Sequence, residues 1–118
     1  MAHALGVARL DLYLQFDRPL SDAELDRIRE LVRRRGDHVP VAYLRGAWEF
    51  HSLSFAVDPR VLVPRPETEL LVDCALEHLA GSEAPVFADV GTGSGCVAIS
   101  VLHELAGATG HATDVSPG

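Results

Sequence analysis

The sequence holds no run of the roughly 18 or more apolar residues that a membrane-spanning helix needs. Nor does it open on a signal peptide, because Arg9 and Asp11 interrupt Met1 to Phe16 before an apolar centre can form. A cytoplasmic location, with no membrane partner, is the expectation. Cysteine is scarce: Cys74 and Cys96 are too few to build a disulfide framework and read as buried free thiols. Positive charge is outweighed, and a net charge of -7 with a pI near 5.2 argues against nucleic acid held through a broad basic surface. The one basic cluster, Arg33-Arg34-Arg35, falls at the end of a predicted helix, where it complements the helix dipole. Repeats and low-complexity tracts are absent. At 118 residues, 47% hydrophobic and 23% charged, the chain suits one ordinary globular domain, or a small domain and part of another.

What is present reads as four sections. Met1 to Gly36 is helical in pattern: Leu5, Leu10, Leu12 and Leu14 lead to a break at Asp17-Arg18-Pro19. A helix then starts at Ser21, where Ser21-Asp22-Ala23-Glu24 matches the S-x-x-E capping box. Leu25, Ile28, Leu31 and Val32 form its apolar stripe, and Gly36 is its expected stop. Val39 to Pro64 switches to a strand-like pattern carried by Tyr43, Trp48, Phe50, Phe55, Val57, Val61 and Val63, with turns at Gly46, Ser52 and Asp58-Pro59, so one or two β-hairpins are expected. Pro64 to Glu69 opens another helix, with Pro66 in the first turn and acids at the positive end of the dipole; it runs through Leu70, Leu71, Cys74, Ala75, His78 and Leu79 to Gly81.

The fourth section carries the chemistry. Pro85 to Val90 reads as a buried strand, Gly91-Thr92-Gly93-Ser94-Gly95 as a loop, Cys96 to Leu105 as an apolar helix, and His111 to Asp114 as a second short strand. Strand, glycine loop, helix and a strand ending in an acid make the first unit of a doubly wound α/β sheet. Glycines at 91, 93 and 95 let the chain turn sharply and bring a ligand against the backbone. Asp114, nineteen positions after Gly95, is placed to accept hydrogen bonds from both hydroxyls of a ribose. A dinucleotide fingerprint, G-x-G-x-x-G, requires glycine at position 96, where Cys96 stands, and Asp89 beside the loop would repel a pyrophosphate. S-adenosylmethionine has no phosphate and carries a cationic sulfonium and an amino group, so the pattern D-x-G-x-G-x-G favours that methyl donor. Glycines packed tightly without any ligand are the alternative.

Other residues carry less. The six histidines do not cluster, and Cys74 with His78, spaced i, i+4, lack a third ligand, so no metal site is expected. Ser94 and Ser100 have no partner base, which leaves nucleophilic catalysis unsupported. Trp48, Phe50 and Phe55 read as hairpin core rather than as a base-stacking platform.

Asp89-Val90-Gly91-Thr92-Gly93-Ser94-Gly95-Cys96-Val97-Ala98-Ile99 and Thr113-Asp114-Val115-Ser116-Pro117 resemble the cofactor motifs of the HemK/PrmC family, the release-factor glutamine methyltransferases. Val41 to Gly46 with Glu49-Phe50, and Val61 to Leu71 with its Arg65-Pro66-Glu67-Thr68 stretch, resemble the same family, and the matches run from about Leu10 to the C-terminus. The resemblance implies an α/β fold: the start of a Rossmann-like class I methyltransferase sheet, preceded by a partial helical N-terminal domain and a β-hairpin connector. On this reading 1–38 is the partial substrate-recognition domain, 39–64 the connector and 65–118 the first part of the S-adenosylmethionine-binding domain. It implies methylation of the side-chain amide nitrogen of glutamine in the Gly-Gly-Gln motif of peptide chain release factors, which are the expected protein partners.

Carried over residue by residue, Asp89 and Gly91, Thr92, Gly93, Ser94 and Gly95 would bind the methionine and adenosine, and Asp114 the ribose. Arg65, Glu67 and Thr68 would lie near the methionyl end, though a helix start matched to its dipole explains them too. Two departures stand out. The family's helical domain is longer than Met1 to Gly36, and the Asn-Pro-Pro-Tyr motif that holds the acceptor amide is absent, so no catalytic residue is assigned. The expectation is a fragment whose full-length parent is the enzyme, itself catalytically silent, of marginal stability or self-associating through open sheet edges. Two other readings stay open: a methyltransferase acting on a nucleobase amine, and a nonenzymatic module binding a nucleoside or a partner protein.

Overall fold

Ser21 and Glu24 close a reciprocal cap at the head of the longest helix. In the computed structural model, which describes residues 1–116, Ser21 Oγ accepts the Glu24 amide at 3.3 Å while Glu24 Oε2 accepts the Ser21 amide at 2.9 Å. Pro117, the last residue of the C-terminal motif, lies outside the described residues, as does Gly118. The chain divides into two units, Met1–Arg45 and Gly46–Gly118.

The first unit is helical: α1 (Ala2–Leu5), α2 (Asp11–Leu14), α3 (Asp22–Gly36) and α4 (Val41–Arg45). Both α1 and α4 pack on α3, bringing Ala4 and Ala42 to near-complete burial. Arg27 of α3 donates to the Ala4 carbonyl at 3.0 Å, satisfying an acceptor at the end of a helix too short to do so itself. Leu25, Ile28 and Leu31 are half-buried, but Val32 is 65% exposed, so the apolar stripe has three members and not four. Gly36 is the last residue of the helix, as expected, but the left-handed residue of the stop lies two positions further on. His38 takes the left-handed conformation (φ 65°) and donates to the Arg35 carbonyl while Val39 donates to that of Arg34, the paired bonds of a Schellman stop.

Tyr43 corrects the strand reading of the next stretch. Val41–Arg45 is helical because Pro40, which has no amide hydrogen to lose, offers its carbonyl to the Leu44 amide at 3.1 Å and starts a turn. One hairpin follows, β1 (Ala47–Phe50) against β2 (Leu53–Ala56), antiparallel, with Trp48 opposite Phe55 and Phe50 opposite Leu53. Val57, Val61 and Val63 lie beyond its strands, in a segment punctuated by Pro59 and Pro64 that offers no continuous ladder of amides.

A 3₁₀ turn (Pro66–Thr68) leads into α5 (Glu69–Leu79), then come β3 (Val86–Val90), α6 (Cys96–Glu104) and β4 (Thr109–Thr113). β3 and β4 are parallel neighbours, with Phe87 opposite Gly110 and Val90 opposite Thr113. Phe50, Phe55, Val72, Cys96 and Val101 form the core, supported by Leu76, Phe87 and Leu105. Phe50 meets Phe55 edge to face at 6.1 Å between ring centres, and full burial of such a side chain stabilises by about 1.5–3 kcal/mol. The fold is thus mixed α/β, with two small sheets.

β3 is not the buried strand its composition suggests. Phe87 and Asp89 point to the half-buried side, while Val86 (64% exposed), Ala88 and Val90 (83% exposed) face outward. The core is built on one face of the two-stranded sheet, so only alternate residues are covered. Likewise Cys96 is buried but Cys74 is exposed, against the reading of both as buried thiols. Among the described residues, no helix is long and apolar enough to cross a membrane.

Candidate nucleoside-binding site

β3 delivers the chain to Gly91, and from there to Gly95 three glycines take positive φ: 81° at Gly91, 55° at Gly93 and 76° at Gly95. These angles are costly for residues with a Cβ, which explains the alternation of glycine through the loop. A Cβ on Gly91 or Gly93 would meet nothing within 4 Å, so the backbone there borders open space. At Gly95 a Cβ would stand 3.2 Å from the Ile99 side chain.

The loop is fastened to the end of β4. The Thr113 carbonyl accepts two amides, from Gly91 at 2.8 Å and Thr92 at 3.0 Å. Asp114 accepts the Gly93 amide on Oδ2 at 2.9 Å and the Ser116 amide on Oδ1 at 2.8 Å. Those two amides, Ser116's foremost, hold its carboxyl below the usual carboxylate range. Each oxygen retains a further lone pair, so the carboxylate can still accept from outside while staying ionised at neutral pH.

Asp89 faces the other way. Its Oδ2 accepts the Thr92 hydroxyl at 2.8 Å and the Ala98 amide at 3.2 Å, within the first turn of α6. Cys96 starts α6 as a buried residue, and burial pushes its thiol pKa up, which suits packing rather than reactivity. Ser100 is fully buried in the same helix and its hydroxyl has no partner among the described residues.

Of the residues singled out in the sequence, Asp89, Gly91, Thr92, Gly93, Ser94, Gly95 and Asp114 are gathered at this one sheet end. Arg65, Glu67 and Thr68 lie on the turn before α5, and among the described residues no hydrogen bond or ion pair joins their side chains to the loop. The contributions of the Thr113 carbonyl and of the Ala98 and Ser116 amides escape sequence reading, because backbone groups leave no trace in residue type. The Asp-x-Ser spacing of Asp114 and Ser116 is the one exception, being the signature of an Asx turn. Among the described residues no group of His, Cys, Asp and Glu side chains is placed to hold a metal ion.

These features define a class: an α/β chain with a glycine loop between a strand and a helix, closed by a parallel neighbour that ends in a carboxylate. Comparison with known proteins makes it particular. Residues 1–46 match the family model described as the PrmC N-terminal domain. The chain is 47% identical over 98% of its length to the release factor glutamine methyltransferase of Chlorobaculum tepidum. It is 44% identical over 98% to the protein of that name in Rhodopirellula baltica, and 41% identical over 100% to that of Geobacter sulfurreducens. It belongs to the release factor glutamine methyltransferase family. The chain spans about two fifths of the length of these curated relatives: 41%, 40% and 41%.

Proposed function

We propose that this chain forms the S-adenosylmethionine-binding part of a methyltransferase that modifies the glutamine side-chain amide of peptide chain release factors. The observation that carries the reading is the fastening of the open glycine loop to Asp114, together with membership of the family. On this reading β3, α6 and β4 are the first unit of a Rossmann-like sheet, the helical N-terminal segment recognises the protein substrate, and the hairpin connects the two. The enzyme would work in the cytoplasm, where translation termination takes place.

The residues fit the cofactor. Gly91 and Gly93 present backbone bordering open space, and the Asp114 carboxylate at the end of β4 keeps lone pairs for a ribose diol. Gly91 to Gly95, Thr92 and Ser94 included, would line the methionine and adenosine, and the Thr92 hydroxyl on Asp89 holds the loop's shape. Arg65, Glu67 and Thr68 are proposed near the methionyl end. When bound, the cofactor supplies an electrophilic methyl group on a sulfonium sulfur.

An amide nitrogen is a weak nucleophile, so catalysis depends on holding it in line with that methyl, an effect worth roughly 7–11 kcal/mol. No side chain among these 118 residues is assigned to hold it. The chain alone is therefore expected to bind cofactor and to methylate nothing. Calorimetric titration with S-adenosylhomocysteine, beside Asp114→Ala, tests the site. Binding weakened roughly tenfold or more by the substitution is expected, as for loss of a hydrogen bond to a charged group. A folded chain that takes up no nucleoside overturns the reading.

A further inference from the structure

We propose that Asp89 is a positioning residue of this site: it fixes the glycine loop and the first turn of α6 through one hydrogen-bonding oxygen, and does not present its charge to the nucleoside. The proposal rests on the functional reading above and concerns how the loop is held.

Helix α6 starts with a deficit. Its N-cap is Gly95, which has no side chain to accept an amide of the first turn and which lies in the left-handed region (φ 76°, ψ 9°). An ordinary N-cap takes an extended conformation and accepts the amide of the second or third helical residue. Ala98 occupies that third position, and its amide goes to Asp89, which belongs to β3 and precedes the N-cap by six residues. A glycine can therefore occupy the cap, where the loop requires positive φ, because a carboxylate on the preceding strand provides the missing acceptor.

The same oxygen, Oδ2, accepts the Thr92 hydroxyl. Thr92 is thereby held at three points: its hydroxyl on Asp89, its amide on the Thr113 carbonyl, and its carbonyl on the Gly95 amide at 2.9 Å. One atom thus joins the end of β3, the second residue of the loop and the first turn of α6. Because both bonds converge on a single oxygen, the geometry requires an acceptor and not a negative charge. Asparagine, with its carbonyl oxygen turned to that place, meets the requirement; alanine does not.

The test uses the whole chain and its Asp89→Asn, Asp89→Ala and Thr92→Val variants, each titrated with S-adenosylhomocysteine and with S-adenosylmethionine. Asp89→Asn is expected to stay within about threefold of the parent for both ligands. Asp89→Ala is expected to lose about tenfold for both alike, with Thr92→Val between them. If Asp89→Asn loses as much as Asp89→Ala, or if its loss falls selectively on the sulfonium ligand, the charge is what matters and the proposal is overturned. Amide hydrogen exchange at Ala98 separates this question from the functional reading. Should the parent bind neither nucleoside, exchange faster by roughly five- to tenfold in Asp89→Ala but not in Asp89→Asn still upholds the positioning role. Unchanged exchange in Asp89→Ala overturns it.

Discussion

The His51 amide donates to the Glu69 carboxylate at 2.9 Å, and the His51 ring nitrogen Nε2 lies 3.3 Å from Asp73 Oδ1. Two acids on α5 thus hold the first residue of the hairpin turn. That turn needs holding, since His51 (φ 47°) and Ser52 (φ 63°) both occupy the left-handed region, the sign pattern of a type I′ turn. Residues with a Cβ pay roughly 1–2 kcal/mol each for it.

Glu69→Ala is expected to destabilise the second unit by about 1.5–3 kcal/mol, the range for a hydrogen bond to a charged group, and Glu69→Gln by less. Ser52→Gly is expected to stabilise it by about 1 kcal/mol through relief of the same strain. Denaturant titration followed by the fluorescence of Trp48, the sole tryptophan, on β1, measures both. A destabilised Ser52→Gly would contradict the strain argument.

Glu24 predicts a pH dependence for α3. Arg18's guanidinium, then the Ser21 amide and hydroxyl, hold its carboxyl at about 2 against an ordinary 4.5. A carboxyl whose folded value lies below its unfolded one contributes stability fully above the unfolded value and loses it as pH falls towards the folded one. The capping contribution is therefore intact above about pH 5 and fades between 4.5 and about 2. Glu24→Gln should flatten the helicity of the chain across that window, as read by circular dichroism; a profile identical to the parent's would refute the assignment.

Gly110 lies under the Phe87 ring. A Cβ there would stand 2.7 Å from Phe87 Cζ and 3.2 Å from two further ring carbons. Gly110→Ala should destabilise the β3–β4 pair by about 1–3 kcal/mol, the cost of overpacking, and Phe87→Leu in the same chain should recover part of the loss. Thermal melts of the two single variants and the double variant test this, and additive losses would argue that the two residues are not coupled.

The two thiols should separate cleanly. Cys74 is exposed, whereas Cys96 is buried with its pKa pushed up by that burial. One thiol per folded chain is expected to react rapidly with a thiol reagent near pH 8, and the second only on unfolding. Two equally fast thiols would mean that α6 is not packed as described.

Local chemistry decides which of these features are legible in the sequence. The capping box at Ser21 and Glu24 is readable because both partners lie within one turn. The glycine loop and Asp114 are readable because positive φ and a strand-end acid select residue types. The turn at Ser52 is readable but its left-handed type is not, since His51-Ser52 carries neither Asn nor Gly and depends on acids 18 and 22 residues away from His51. Val41–Arg45 misleads because valine and tyrosine favour strands, while the adjoining Pro40 and the packing on α3 make it helical. At Asp89 the acid beside the loop is readable, while its bonds to Thr92 and Ala98 are set by tertiary structure and leave no mark in residue type.

The Thr113 carbonyl gives the site an unexpected thermodynamic property. Since this one backbone oxygen holds both Gly91 and Thr92, the loop acquires its shape only in molecules whose β4 is docked on β3. Whatever fraction of the population has that strand detached is blind to ligand, and the apparent dissociation constant rises in inverse proportion to the docked fraction. A nucleoside at this loop would act reciprocally, as a clamp on β4, so occupancy should be visible as slowed exchange of the β4 amides as well as in the heat of binding.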